Sequence, residues 1–243
     1  MQEDQYQIPY HWNQDKRVES SRYLNLTRLI ASTIRQNASS KSVFSICDFG
    51  CGDGRGSYLL WRLLRESGVA PTVFGLDISN QAIQWARDKT QAENDGSLHF
   101  SNESIDAVMQ QFPQDAGMNV FVMREVIEHL LDEEIDETLS KAKNAMQRGM
   151  VILTTPSINS PVEAKHIKHY TADEMRSVFS RNGIEPIDVF GYGFRPGRLY
   201  GLLNRVKSIL NSKPVLWRLM NPAWRRLSPR WAITIVGVGR FGD

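Results

Sequence analysis

Apolar and polar positions along this chain fall into two periods that take turns. Short apolar runs suited to buried strands occupy residues 43–49, 72–78, 97–104, 119–123, 151–157, 184–192 and 231–239. Between them lie stretches whose apolar residues recur at three and four. Tyr23, Leu26, Ile30 and Ile34 predict a helix over residues 15–37, and Tyr58, Leu59, Leu60, Leu63 and Leu64 predict one after the first strand. Residues 79–92 read as a further helix opened by Ser79 or Asn80, and Thr171 with Glu174 forms a capping box that opens another, to about Asn182. Strands that alternate with helices in this way predict an α/β fold.

The first strand runs into D-F-G-C-G-D-G-R-G, with Gly50, Gly52, Gly54 and Gly56 ahead of a helix. Glycine lets a ligand approach bare backbone at a helix N-terminus. The dinucleotide fingerprint G-x-G-x-x-G/A is not met, because Arg55 and Ser57 stand where its third small residue belongs. What remains is D-x-G-x-G-x-G, beginning at Asp48. Asp77 closes the second strand, the place where an acidic side chain accepts hydrogen bonds from ribose hydroxyls in doubly wound sheets.

These residues, with G-L-D-I-S (75–79), R-E-V-I-E-H-L (124–130) and T-T-P-S (154–157), resemble the class I, Rossmann-like S-adenosylmethionine-dependent methyltransferases over about residues 43–192. The resemblance implies a doubly wound, seven-stranded, mostly parallel sheet whose last strand runs antiparallel between its neighbours. It implies S-adenosyl-L-methionine as cofactor, held by Asp48, Gly50, Gly52, Gly54, Asp77, Ile78, Glu103, Ser104 and Arg124. Asp77 would take the ribose and Glu103 the adenine amino group, although Asp is the commoner residue at the second place. Asn119 also departs from the family's usual Asp.

Glu125, Glu128 and His129 are spaced to share one helical face at the sheet's ligand end, and His166 and His169 precede the capping box. Two carboxylates and an imidazole there can orient a substrate, serve as a base or bind a divalent metal. The expected catalytic set is His129, His169, Glu125, Glu128 and His166, with His129 or His169 as base and no metal assigned. H-I-K-H-Y-T-A-D-E-M resembles the H-x-x-x-[FY]-[ST]-x-x-E-[LM] pattern of small-molecule and glycan methyltransferases, including ubiquinone-pathway O-methyltransferases. The expected reaction is O-methylation of a small molecule, saccharide or lipid-linked intermediate. The alternatives are a metal-dependent RNA 2′-O-methyltransferase, whose longer Trp-containing run is missing here, and a non-catalytic S-adenosylmethionine-binding module.

Charge adds one feature. The net charge of +2 over 243 residues conceals a balance of +9 after residue 194, where ten Lys or Arg face one acid, Asp243. Residues 195–230 carry a basic amphipathic pattern with Trp217 and Trp224, cut by Pro214, Pro222 and Pro229. They are expected to form a helical insertion between the last two strands that acts as a substrate cap, a dimer contact or a peripheral contact with a membrane or other anionic surface. The expected domains are an N-terminal lid and helix (1–40) and a methyltransferase domain (41–243). The polar N-terminus, the lack of an apolar run near the roughly 18 residues a span needs, and Cys47 and Cys51 read as free thiols together point to a cytoplasmic protein, membrane-associated or not. The expected partner is a small-molecule or glycan acceptor, not nucleic acid.

Overall fold

The computed structural model describes residues 6–13, 18–37, 44–112, 118–194 and 226–242. The proposed insertion therefore lies outside the described residues except at 226–230. Eight strands form one sheet: β1 (Phe44–Phe49), β2 (Pro71–Leu76), β3 (Leu98–Ser101), β4 (Met118–Arg124), β5 (Gly149–Pro156), β6 (Glu185–Phe194), β7 (Arg226–Leu227) and β8 (Ala232–Phe241). Their order is β3-β2-β1-β4-β5-β8-β6-β7. β1 to β5 pair in parallel, and β8 pairs antiparallel with both β5 and β6. The expectation of seven strands is corrected to eight. The extra one is the two-residue β7, paired to Gly191 and Tyr192, in a stretch that had been assigned to the insertion.

Among the described residues, seven α-helices connect or cover the strands: α1 (Tyr10–Asn13), α2 (Val18–Gln36), α3 (Arg55–Glu66), α4 (Asn80–Thr90), α5 (Ile105–Met109), α6 (Asp132–Met146) and α7 (Ala172–Arg181). The strand pleat sends successive side chains to opposite faces. Ile46, Val120, Val122 and Ile152 pack under α2, α3 and α4, on Ile30, Ile34, Leu60, Leu64 and Ile83. Cys47, Phe121, Met123, Val151 and Leu153 pack under α5, α6 and α7, on Val108, Leu139, Met146, Val178 and Phe179. Burial on both faces explains why these strands read as continuous apolar runs instead of alternating ones.

β1 sits between β2 and β4, so its outgoing connection and that of β4 diverge and open a crevice at their C-terminal ends. Beneath that crevice lies a buried ion pair. Arg124, the last residue of β4, bonds Asp48 of β1 through Nη2 to Oδ2 and through Nε to Oδ1 at 3.3 Å. Ser57 of α3 donates to the same carboxylate at 2.5 Å, and Arg124 Nη1 donates to Thr27 Oγ1 of α2 at 3.5 Å. The Tyr23 ring stands 5.7 Å from the guanidinium. A Cβ on Gly56 would collide with Arg124 and with the Tyr23 hydroxyl, so α3 approaches the pair only because that residue is glycine. Asp48 and Arg124 were expected at the cofactor. The structure places their side chains, 1% and 5% exposed, under the loop, where they brace the strands.

Removing one partner of a buried pair leaves an uncompensated charge and costs about 3–5 kcal/mol. Asp48→Asn should lower the unfolding free energy by about that much in urea denaturation. Asp48→Asn with Arg124→Met should recover most of the loss.

Candidate active site

The crevice has two halves. The first is the glycine loop. β1 ends at Phe49, and Gly50, Gly52 and Gly54 follow at φ of 71°, 57° and 74°, with Gly54 preceding the first turn of α3. Gly52 N–H donates to Asp77 Oδ2 at 2.8 Å, and Ser79 N–H donates to Asp77 Oδ1 at 3.0 Å. Two backbone donors thus fix the carboxylate at the rim of the loop. Ile78 beside it is 76% exposed at the mouth. Glu103 is exposed after β3, where its Oε2 accepts from Ser101 Oγ at 3.3 Å. Ser104 Oγ accepts the Ala107 N–H at 3.3 Å and caps α5. A cavity of about 780 Å³ along the edge strand β3, between Phe74, Arg87, Asn94 and Gln111, reaches Glu103, but Asp77 and the glycine loop from Gly50 to Gly56 form none of its walls.

A strap of residues 6–13 lies over this half. His11 donates its backbone N–H to Asp53 Oδ2 at 2.7 Å, and its ring Nδ1 lies 3.0 Å from Oδ1. Trp12 Nε1 donates to Asp53 O at 2.8 Å, and Trp85 Nε1 donates to Tyr6 O at 2.9 Å. A Cβ at position 52 would come within 2.7 Å of the Tyr6 hydroxyl, so the strap needs glycine there as much as any ligand does. Asp53 is fully buried, and it is a residue that the glycine motif alone does not single out. The available signal was an acid placed between two of the loop's glycines, with aromatic residues at the N-terminus to receive it.

The second half follows β4. The helical face expected for Glu125, Glu128 and His129 is corrected. Glu125 takes φ 55°, which ends the strand in a left-handed step that costs a residue with a Cβ roughly 1 kcal/mol or more, and residues Ile127–His129 form a 3-10 turn. Glu125 N–H donates to Thr154 O at 2.9 Å and its Oε1 accepts from Thr154 Oγ1 at 3.3 Å, so β5 holds the step open. Glu128 is buried, its Oε2 accepting from Thr155 Oγ1 at 3.1 Å. Its carbonyl accepts the Ile167 N–H at 2.7 Å and so draws the histidine loop over the turn. His129 and His166 then meet edge to face, with ring centroids 4.8 Å apart, and His166 Nδ1 lies 2.7 Å from His169 Nε2. The structure brings together four of the expected residues, Glu125, Glu128, His129 and His166. It sets His169 beside His166 as that residue's partner.

The electrostatics separate their roles. Burial, and then the Glu125 charge, push the Glu128 carboxyl well above the usual range. Burial, and then His129, hold His166 below the usual imidazole value. His129 Nδ1 lies 3.1 Å from Lys165 O, which can only accept, so that nitrogen carries the proton and Nε2 presents a lone pair 4.0 Å from Glu128 Oε1. Glu128, His129 and His166 each offer one ligand atom within 4.8 Å of the others, a grouping of a size to hold a metal ion. Burial also raises the thiols of Cys47 and Cys51, which are free.

A doubly wound sheet with a glycine turn after its first strand and an acid after its second is an arrangement that class I, S-adenosylmethionine-dependent methyltransferases share with other nucleotide-binding folds. The chain belongs to the methyltransferase domain family, matching it over residues 40–187. A ubiquinone biosynthesis O-methyltransferase of Dinoroseobacter shibae is 27% identical over 197 residues, 70% of this chain and 73% of that protein. A SAM-dependent methyltransferase from Archaeoglobus fulgidus superposes with a TM-score of 0.53 at 15% identity, covering 88% of this chain and 94% of the other. The small RNA methyltransferase HEN1 gives a TM-score of 0.56 at 17% identity, covering 90% of this chain and 25% of HEN1.

A carboxyl whose folded-state pKa is raised binds its proton more tightly when folded. It therefore weakens the fold as pH rises from the ordinary carboxyl range through the raised value, and the loss then stays constant. Glu128→Gln should remove that loss. Thermal unfolding followed between pH 4.5 and 8.5 should show the variant gaining on the wild type as pH increases, with the smallest difference at the acid end.

Proposed function

We propose that this enzyme methylates a hydroxyl of a small molecule, saccharide or lipid-linked acceptor. The observation that carries the reading is the bare Nε2 of His129 at the crevice, its tautomer fixed by the Lys165 carbonyl. The cofactor, when bound, supplies an electrophilic sulfonium methyl group. Gly50, Gly52 and Gly54 offer backbone at the loop, Asp77 receives the ribose, and Ile78 and Glu103 flank the adenine side. The strap of Tyr6 and His11 excludes water from the loop. His129 Nε2 accepts the hydroxyl proton as the oxygen becomes a nucleophile, and Glu125 and Glu128 orient the acceptor. General-base proton transfer of this kind contributes typically about 10²–10⁴-fold. The O-methyltransferase relative supports oxygen as the acceptor atom. Two free thiols support a reducing, cytoplasmic setting, and among the described residues no helix is long and apolar enough to cross a membrane.

A second reading is metal-assisted methylation of RNA 2′-hydroxyls. In its favour is the Glu128–His129–His166 grouping. It requires lone pairs from all three residues at once, and the His166–His169 hydrogen bond bears on that.

Charge-assisted hydrogen bonds contribute about 1.5–3 kcal/mol each, and a tenfold change in affinity is about 1.4 kcal/mol. In calorimetric titration with S-adenosylhomocysteine, Asp77→Ala should bind at least about tenfold more weakly than wild type. Equal affinity would remove Asp77 from the cofactor site. With methyl-labelled S-adenosylmethionine and lipid or water-soluble cell extracts, wild type should label a small-molecule fraction and His129→Ala should lose about 100-fold or more. Label entering RNA, and only with Mn²⁺, would favour the second reading.

A further inference from the structure

His166 and His169 form a hydrogen-bonded imidazole pair, and its proton position can be read from what surrounds it. Nδ1 of His166 and Nε2 of His169 are 2.7 Å apart, so one donates and the other accepts. The outer nitrogens decide which. Nδ1 of His169 is buried and, among the described residues, has no hydrogen-bond partner. Nε2 of His166 looks toward the Glu163 carboxylate, 3.8 Å away, an acceptor for a proton. If His166 donated, neutral His169 would have to carry its own proton on the buried, unpartnered Nδ1. Buried N–H groups are left without a partner more rarely than buried acceptors are. If His169 donates through Nε2, its Nδ1 is only a lone pair, and the proton of His166 falls on Nε2, where Glu163 attracts it.

We infer that His169 is a positioning residue that locks the His166 proton on Nε2, so that His166 meets the acceptor as a hydrogen-bond donor and not as a base or a metal ligand. The rings of His129 and His166 then present opposite chemistry side by side. His129 Nε2 takes a proton, and His166 Nε2–H supports a neighbouring oxygen of the acceptor. The grouping of Glu128, His129 and His166 consequently does not fit a divalent metal as arranged, because one of its three donor atoms is protonated. This consequence for turnover rests on the O-methyltransferase reading, whereas the proton position does not.

The test is a long-range ¹H–¹⁵N correlation spectrum of ¹⁵N-histidine-labelled protein at pH 8, above the ordinary imidazole range. Wild type should show His166 with its proton on Nε2 and His129 with its proton on Nδ1. In His169→Gln the side-chain amide can still donate, and His166 should keep its Nε2 proton. In His169→Glu the carboxylate only accepts, and a proton should appear on His166 Nδ1. A wild-type His166 protonated on Nδ1, or a folded His169→Glu whose His166 Nδ1 stays bare, would overturn the assignment. The wild-type spectrum decides the question even if neither variant folds.

Discussion

The ion pair between Asp48 and Arg124 fixes the geometry on which everything at the ligand end depends. Asp48 lies one residue before the end of β1 and Arg124 is the last residue of β4, so the glycine loop starts two residues beyond one partner and Glu125 directly follows the other. Both charges are buried, and among the described residues each is compensated by the other, with Ser57 and Thr27 as further hydrogen-bond partners. Desolvation makes such a pair a poor source of net stability but an effective constraint on register. A slip between β1 and β4 would leave two buried charges unpaired. The cofactor half and the acceptor half of the crevice are thereby held at a fixed offset.

Above this brace the two halves are built differently. The glycine half relies on close approach: the Tyr6 hydroxyl and His11 ring sit where side chains at position 52 would otherwise stand. The acceptor half relies on strain and burial. A left-handed Glu125 turns the chain out of the sheet, Glu128 is enclosed beneath the histidine loop, and the main-chain contacts of Glu128 and Lys165 aim the imidazoles. One backbone carbonyl, that of Lys165, places the ring proton of His129, so a neighbouring peptide group assigns the chemistry of that histidine.

Much of this was legible from local pattern. The β1–glycine–α3 unit, the acid after β2 and the capping box before α7 depend on residues close in sequence, and they stand where the periodicity put them. Local pattern does not carry contacts between distant residues. The pairing of Asp48 with Arg124, 76 residues away, is visible only in the fold. Glu125, Glu128 and His129 have helical spacing, but the Thr154 main chain pulls Glu125 out of a helix. Asp53 gave no sign of its partner because His11 lies 42 residues away. β7 is too short for any periodicity to register.

The place of β8 has a consequence for how the chain reaches this form. β6 and β5 do not touch each other in the sheet; β8, made after both, lies between them and is the strand that joins them. Its first residues also accept hydrogen bonds from Ser157, Asn159 and Ser160, which open the segment leading to the histidines. During synthesis β1 to β5 can pair in order as they emerge, but the hydrogen bonds that Ser157, Asn159 and Ser160 donate to β8 form only once that strand has arrived. Such non-local pairing is slow and leaves apolar edges uncovered in the interval. The acceptor half of the crevice therefore completes its hydrogen bonding only when the last strand is in place.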